Sequence, residues 1–165
     1  MWLGMKKILL SQGKVTVVDD EDFEVLSKYK WSVGRGGNTY YAYTHNILES
    51  GKRTTIAMHR MIMKTPMGCE TDHRDRDGLN NQRFNLRVCT HSQNQGNRKL
   101  TEGSSSGHKG VVWHKRDKKW QSKIVFNGKN IHLGYFNSKD EAALAYSRRA
   151  VELFKEYAEL PRIIV

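Results

Sequence analysis

The chain has 165 residues, 38% of them apolar, and a net charge of +11; its length allows one ordinary domain or two small ones, and its apolar content excludes disorder throughout. The longest apolar run, Ala142 to Tyr146, is far short of the roughly 20 residues a membrane helix needs. Lys6 and Lys7 precede an apolar stretch too short for a secretory signal, so no membrane association and a cytoplasmic location are expected.

Two cysteines, Cys69 and Cys89, cannot build a disulfide framework or a cysteine zinc site and read as small buried hydrophobes. The basic excess is unevenly spread. Residues 98–137 hold nine basic and two acidic residues, whereas the first 97 hold fourteen and ten. A concentrated block of positive charge argues for a face that meets a polyanion, and nucleic acid is the default.

In chain order, Lys6–Leu10 and Lys14–Val18 read as a hairpin around Ser11-Gln-Gly13. Asp20–Tyr29 reads as a helix, acidic at its start and with Lys28 near its end. Strands are expected at Trp31–Val33, Thr39–His45 and Arg53–Met58, with turns at Gly34–Asn38 and Ser50-Gly51. Met58, Met61 and Ile62 recur at helical spacing, so Met58–Met63 is a short helix that stops before Pro66 and Gly68. Residues 69–99 read strand, long loop (Asp75–Asn85), strand (Leu86–Cys89) and helix, the last opened by a capping box at Thr90-His-Ser-Gln93. Leu100–Gly107 is polar and turn-rich, with 101–107 as a linker. Strands at Gly110–His114, Trp120–Phe126 and Asn130–Leu133 follow, the last two joined by the hairpin dipeptide Asn127-Gly128. A second capping box, Ser138-Lys-Asp-Glu141, opens a helix to about Tyr157 with the apolar stripe Ala142, Tyr146, Ala150, Leu153 and Tyr157. The expected class is α+β: a β-rich region 1–57, a compact polar unit 58–100, a three-stranded antiparallel sheet on one helix over 108–160, and a tail 161–165.

The sharpest constellation is Asp72, His73, Asn85 and Asn94. Hydrolysing a phosphodiester needs a base for water, positive charge on the developing phosphorane and help for the leaving oxygen. A neutral histidine suits the first task, and a hard divalent ion on oxygen ligands supplies the other two. Asp72 offers a carboxylate and Asn94 an amide oxygen; Asn97 is the rival on the same helix face. Asn85 can hydrogen-bond the imidazole or the adjacent backbone. Consecutive strand residues point to opposite faces, so Asp72 and His73 can serve one phosphate only where the strand ends or bends.

The stretch Glu70-Thr-Asp-His73-Arg-Asp-Arg-Asp-Gly78-Leu-Asn-Asn81, with Asn85-Leu-Arg87 and Asn94, resembles the HNH endonucleases of the ββα-metal fold, and more closely the homing-type nicking enzymes whose third position is Asn. Met58-His59-Arg60 resembles the segment that precedes the motif in those proteins. The resemblance implies His73 as general base, Asn85 as its orienting partner, and Asp72 with Asn94 as ligands of one Mg²⁺ or Mn²⁺. Arg74 and Arg87, bracketing such a site, are expected on the DNA backbone; His59 is expected to be structural or to contact phosphate.

Residues 108–160 resemble a second family. Gly110-Val-Val-Trp113, Trp120-Gln-Ser-Lys-Ile124, His132-Leu-Gly-Tyr-Phe136 and Glu141-Ala-Ala-Leu-Ala-Tyr146 look like the plant ethylene-response-factor DNA-binding domain, which places a three-stranded sheet in the major groove. Alternation turns Trp120, Ser122, Ile124, Ile131 and Leu133 toward the helix. It leaves Val112, His114, Lys123, Asn130 and His132 on the face expected to meet double-stranded DNA. Trp113 and Trp120 are assigned to core packing. The expected protein is a homing-type endonuclease that acts as a monomer on DNA; the alternative is a non-catalytic DNA-binding regulator with a degenerate nuclease unit.

Overall fold

Alternating apolar residues in the first ninety positions pair into ribbons that share one core. In the computed structural model, which describes residues 4–47, 53–98, 100 and 104–158, β1 (Met5–Leu9) pairs antiparallel with β2 (Val15–Asp19). The expected turn at Ser50-Gly51, the head of the linker and the tail lie outside the described residues. Contacts group the chain into two compact units, Met1–Thr90 and His91–Val165. Among the described residues no helix is long and apolar enough to cross a membrane.

In the first unit, α1 (Asp20–Leu26) follows β2 directly and ends earlier than its sequence suggests. The Leu26 carbonyl accepts from the Tyr29 amide at 3.1 Å and from the Trp31 indole at 2.8 Å, so it is taken before another helical turn can use it. Next comes the antiparallel sheet of β3 (Ser32–Gly36), β4 (Thr39–Ile47) and β5 (Arg53–Ala57). The turn expected from Gly34 begins only after Gly36, because the rings of Tyr43 and Tyr41 on β4 lie across Gly34 and Gly36. They supply the packing that the glycines lack, and the strand continues. The short helix α2 (Met58–Ile62) leads to the hairpin of β6 (Glu70–His73) and β7 (Leu86–Cys89). Val18, Leu26, Trp31, Met58, Ile62 and Leu86 belong to a single buried cluster. Residues 4–57 and 58–90 therefore fold as one body, each burying apolar side chains worth about 1.5–3 kcal/mol apiece against the other.

The second unit opens with α3 (His91–Asn97) and continues with β8 (Val111–His114), β9 (Lys119–Phe126), β10 (Lys129–Phe136) and α4 (Lys139–Phe154). The sheet order is β10-β9-β8, all antiparallel. Asn127 and Gly128 both take positive φ, 49° and 75°, as a two-residue hairpin turn requires. Ser138 and Glu141 form a complete capping box at the start of α4, and Ile124, Tyr146, Ala150 and Phe154 form its core against the sheet. The helix ends at Phe154, with a single 3₁₀ turn reaching Tyr157. The end of the expected linker is built into this unit: Ser106 is buried and donates to the Val111 carbonyl at 2.7 Å. Cys69 and Cys89 are free thiols, and burial pushes the Cys89 thiol up to about 12.

Candidate nuclease site and sheet face

The β6–β7 ladder runs regularly to its end, Asp72 opposite Arg87 and His73 opposite Leu86. Asp72 and His73 thus leave the strand toward opposite faces of the ribbon at its last two positions. No bend intervenes; the chain departs at Arg74, so a phosphate shared by the two side chains has to lie across the ribbon's open end. His73 is buried. Its ring packs edge-on to His59, with centroids 5.0 Å apart, and 5.7 Å from Tyr41. Burial holds its pKa below the ordinary histidine value, against the raising influence of Asn81, Asp75, Asp72 and Asp77. The imidazole is therefore neutral at neutral pH, as a base must be.

The loop after His73 looks like loose polarity in sequence but is tightly cross-linked. One Asp75 oxygen accepts from the Asp77 amide and from Asn85 Nδ2, both at 2.9 Å, and the other accepts from Asn80 Nδ2 at 2.7 Å. Asn85 also donates to the Asn80 carbonyl at 2.8 Å, and its Oδ1 accepts from the Asp75 amide at 3.0 Å. Both amide protons and the oxygen of Asn85 are thus engaged by the loop, and of the two partners that the sequence left open, the imidazole or the adjacent backbone, these bonds are to the backbone and to Asp75. The imidazole is met by a residue that sequence reasoning missed: His73 Nε2 lies 3.2 Å from Asn81 Oδ1. A Cβ at Gly78 would collide with the Tyr40 carbonyl and the Tyr41 ring; only glycine lets the loop approach β4 there.

Arg87, expected on the DNA backbone, is instead buried in an ion pair with Asp72, Nε and Nη2 standing 2.8 and 2.6 Å from Oδ2. The cross-strand register that puts them opposite each other accounts for this placement. Arg74 is exposed at the start of the loop. Asn94 lies on α3 and is half-buried, whereas its rival Asn97 is buried. In the same unit, Lys109 Nζ donates to the Gln95, Gly96 and Arg98 carbonyls at 2.8–3.1 Å, which closes the C-terminal end of α3. Among the described residues no three His, Cys, Asp or Glu side chains cluster into a metal cage. Asp72 and Asn94 belong to different units; as residue types, a carboxylate and an amide oxygen are hard donors of the kind Mg²⁺ takes, rather than the sulfur and imidazole donors of a structural zinc site.

His59, on α2, has a buried Nδ1 without a partner among the described residues. Its pKa is pushed down to about 3, first by burial, then by His73 and Arg60. Between the ordinary value of 6.5 and about 3, an unfolded chain therefore binds a proton that the folded one refuses. Stability is full above 6.5 and falls as the pH drops through this window, by up to about 1.4 kcal/mol per pH unit for this one group. His59→Phe, which keeps a ring and removes the titration, should flatten the fall in Tm between pH 6.5 and 4. Parallel curves for the two proteins would show that His59 is not the group responsible.

On the sheet of the second unit, Val112, Lys123, Asn130 and His132 are exposed and His114 half-buried, all on the face away from α4. Sequence reasoning missed Tyr135. A bulge between His132 and Gly134 resets the alternation, so Tyr135 pairs with Gln121 on the outer face, its ring 4.8 Å from His132 and 5.1 Å from His114. Trp113, expected in the core, is 44% exposed and packs edge-on against Trp120, which does reach the Val111–Ala142 cluster.

The chain is 32% identical over 158 residues to an uncharacterized HNH endonuclease of Acanthamoeba polyphaga mimivirus, spanning 91% of this chain and 77% of that protein. It is 33% identical over 75 residues to Protein 3.8 of Escherichia phage T7, covering 46% of this chain and 60% of the phage protein. Over 60 residues it is 37% identical to the ethylene-responsive transcription factor WRI1 of Arabidopsis thaliana, a third of this chain and 14% of the plant protein. No family model matches the chain, and no solved structure matches it.

Proposed function

Because the chain belongs to the HNH endonuclease family, we propose that it is a homing-type DNA endonuclease that nicks one strand per encounter. His73 is the general base, Asp72 and Asn94 are the residues that would hold one Mg²⁺ or Mn²⁺, and the sheet of the second unit grips double-stranded DNA. The observation that carries this reading is an imidazole at the end of β6, buried and neutral, beside an ion-paired carboxylate. Asn81 Oδ1 accepts from Nε2–H of His73, so the ring's basic lone pair is on Nδ1, the atom that would take the proton of the attacking water. Asp75 and Asn85 fix the loop that follows the base, and the exposure of Arg74 beside it supports a contact with a DNA phosphate. The divalent ion, when bound, supplies the positive charge that the phosphorane and the leaving oxygen require. One such site per chain attacks one strand, and a monomer on DNA therefore gives a nick.

Incubating the full chain with supercoiled plasmid and Mg²⁺ should yield the open circle as first product. Linear DNA as first product would overturn nicking, and tight binding without cleavage would favour a DNA-binding regulator. The similarity to a plant transcription factor and the exposed row on β8–β10 support the assignment of the gripping face. Each phosphate neutralised adds about 0.9 to the slope of log affinity against log salt. Lys123→Ala should weaken binding and reduce that slope by about one such step, whereas Lys139→Ala, at the start of α4 behind the sheet, should change neither. Equal effects at the two lysines, measured by fluorescence anisotropy across a salt series, would remove the sheet as the DNA face.

A further inference from the structure

We infer that Thr16, on the N-terminal hairpin, is a positioning residue of the catalytic base, acting through Asn81 to hold His73 in its Nε2–H tautomer; the inference rests on the nuclease reading only for its kinetic consequence. Thr16 and Asn81 are both fully buried. The single hydroxyl proton of Thr16 goes to the Leu79 carbonyl, at 2.7 Å, rather than to the thioether of Met58 at 3.9 Å. Its oxygen is then an acceptor, and Asn81 Nδ2 donates to it at 2.8 Å. The second amide proton of Asn81 is directed at the Gly78 carbonyl, 3.4 Å away. With both protons assigned, only the amide oxygen can face His73, and an oxygen accepts: Nε2 carries the hydrogen and Nδ1 does not.

The backbone reinforces the arrangement. The Val17 amide donates to the Leu79 carbonyl at 2.9 Å and the Asn81 amide to the Val17 carbonyl at 2.8 Å, so β2 and the loop are fastened on either side of the hydroxyl. Without the hydroxyl, Asn81 loses the shorter of its two acceptors and keeps only the Gly78 carbonyl at 3.4 Å to orient its amide. The amide can then flip, present its NH₂ group to Nε2 and leave the hydrogen on Nδ1, the atom that has to take the proton from water. Neither Thr16 nor Asn81 touches the reacting atoms; they determine which imidazole nitrogen is basic.

The test is a long-range ¹H–¹⁵N spectrum of the full chain, metal-free, at pH 8, above the ordinary histidine range, with His73 assigned by comparison with His73→Gln. Wild type should show the Nε2–H pattern at His73. Thr16→Val should show a mixture or the Nδ1–H form, Thr16→Ser should retain the wild-type pattern, and Thr16→Val with Asn81→Asp should regain it, because a carboxylate accepts through either oxygen. In plasmid nicking, Thr16→Val should lower kcat roughly tenfold or more at unchanged KM, with Thr16→Ser restoring it. An Nδ1–H wild type, or a Thr16→Val chain with unchanged tautomer and rate, overturns the inference. Should Thr16→Val not fold, the wild-type spectrum and the Thr16→Ser chain decide. A wild type that cuts no DNA sinks the nuclease reading, and the spectrum still decides this one.

Discussion

If His73 is the base proposed above, replacing it by alanine should lower plasmid nicking by about 10²–10⁴, the usual worth of a positioned base, while DNA affinity stays nearly constant. The separation is expected because the imidazole is neutral and buried among His59, Tyr41 and Asn81, whereas exposed lysines and arginines contribute most to DNA affinity. The measurement is single-turnover cleavage at saturating DNA, paired with binding at the same ionic strength. A fall in affinity as large as the fall in rate would mean that His73 acts on DNA binding. Nicking at the wild-type rate would remove histidine as the base. Because the substitution also removes a ring from a buried aromatic cluster, the thermal transition of the variant serves as the control: a folded and inactive chain is the expected result.

Local rules carried the reading wherever the determinants are close in sequence. The Asn127-Gly128 turn and the Ser138–Glu141 box each involve residues no more than three apart, and both are present. The pairing of Asp72 with His73, followed by an Asp- and Asn-rich loop, likewise pointed to a phosphate-cleaving unit. What escaped notice depends on long separations or on a broken period. Thr16 and Asn81 are 65 residues apart, and nothing in either neighbourhood marks the other. Tyr135 was hidden by a bulge that shifts strict alternation by one residue. Gly34 and Gly36 read as turn residues because the tyrosines that cover them lie on the next strand. Arg87 read as a surface cation because the register that sets it against Asp72 is fixed only once the loop between them is closed.

Arg87→Ala is the substitution expected to cost the most stability. Asp72 and Arg87 are both buried, their ion pair is bidentate from the arginine, and removing the guanidinium leaves a carboxylate in a poorly solvated place. Breaking a buried pair from one side typically costs about 3–5 kcal/mol, which for a unit of this size lowers the melting temperature by more than about ten degrees. Replacing both partners by apolar residues of similar volume removes the buried carboxylate together with its cation, so Asp72→Leu with Arg87→Met should recover most of that loss. Stability and function then part company. If Asp72 holds the divalent ion, the double variant is folded yet inactive, and raising Mg²⁺ or Mn²⁺ does not restore cleavage. Arg87→Ala behaves differently: with Asp72 still present, its residual nicking at a temperature where it is folded should rise with metal concentration. If the folded double variant nicks at the wild-type rate, the carboxylate is a structural partner of Arg87 and the metal is held elsewhere.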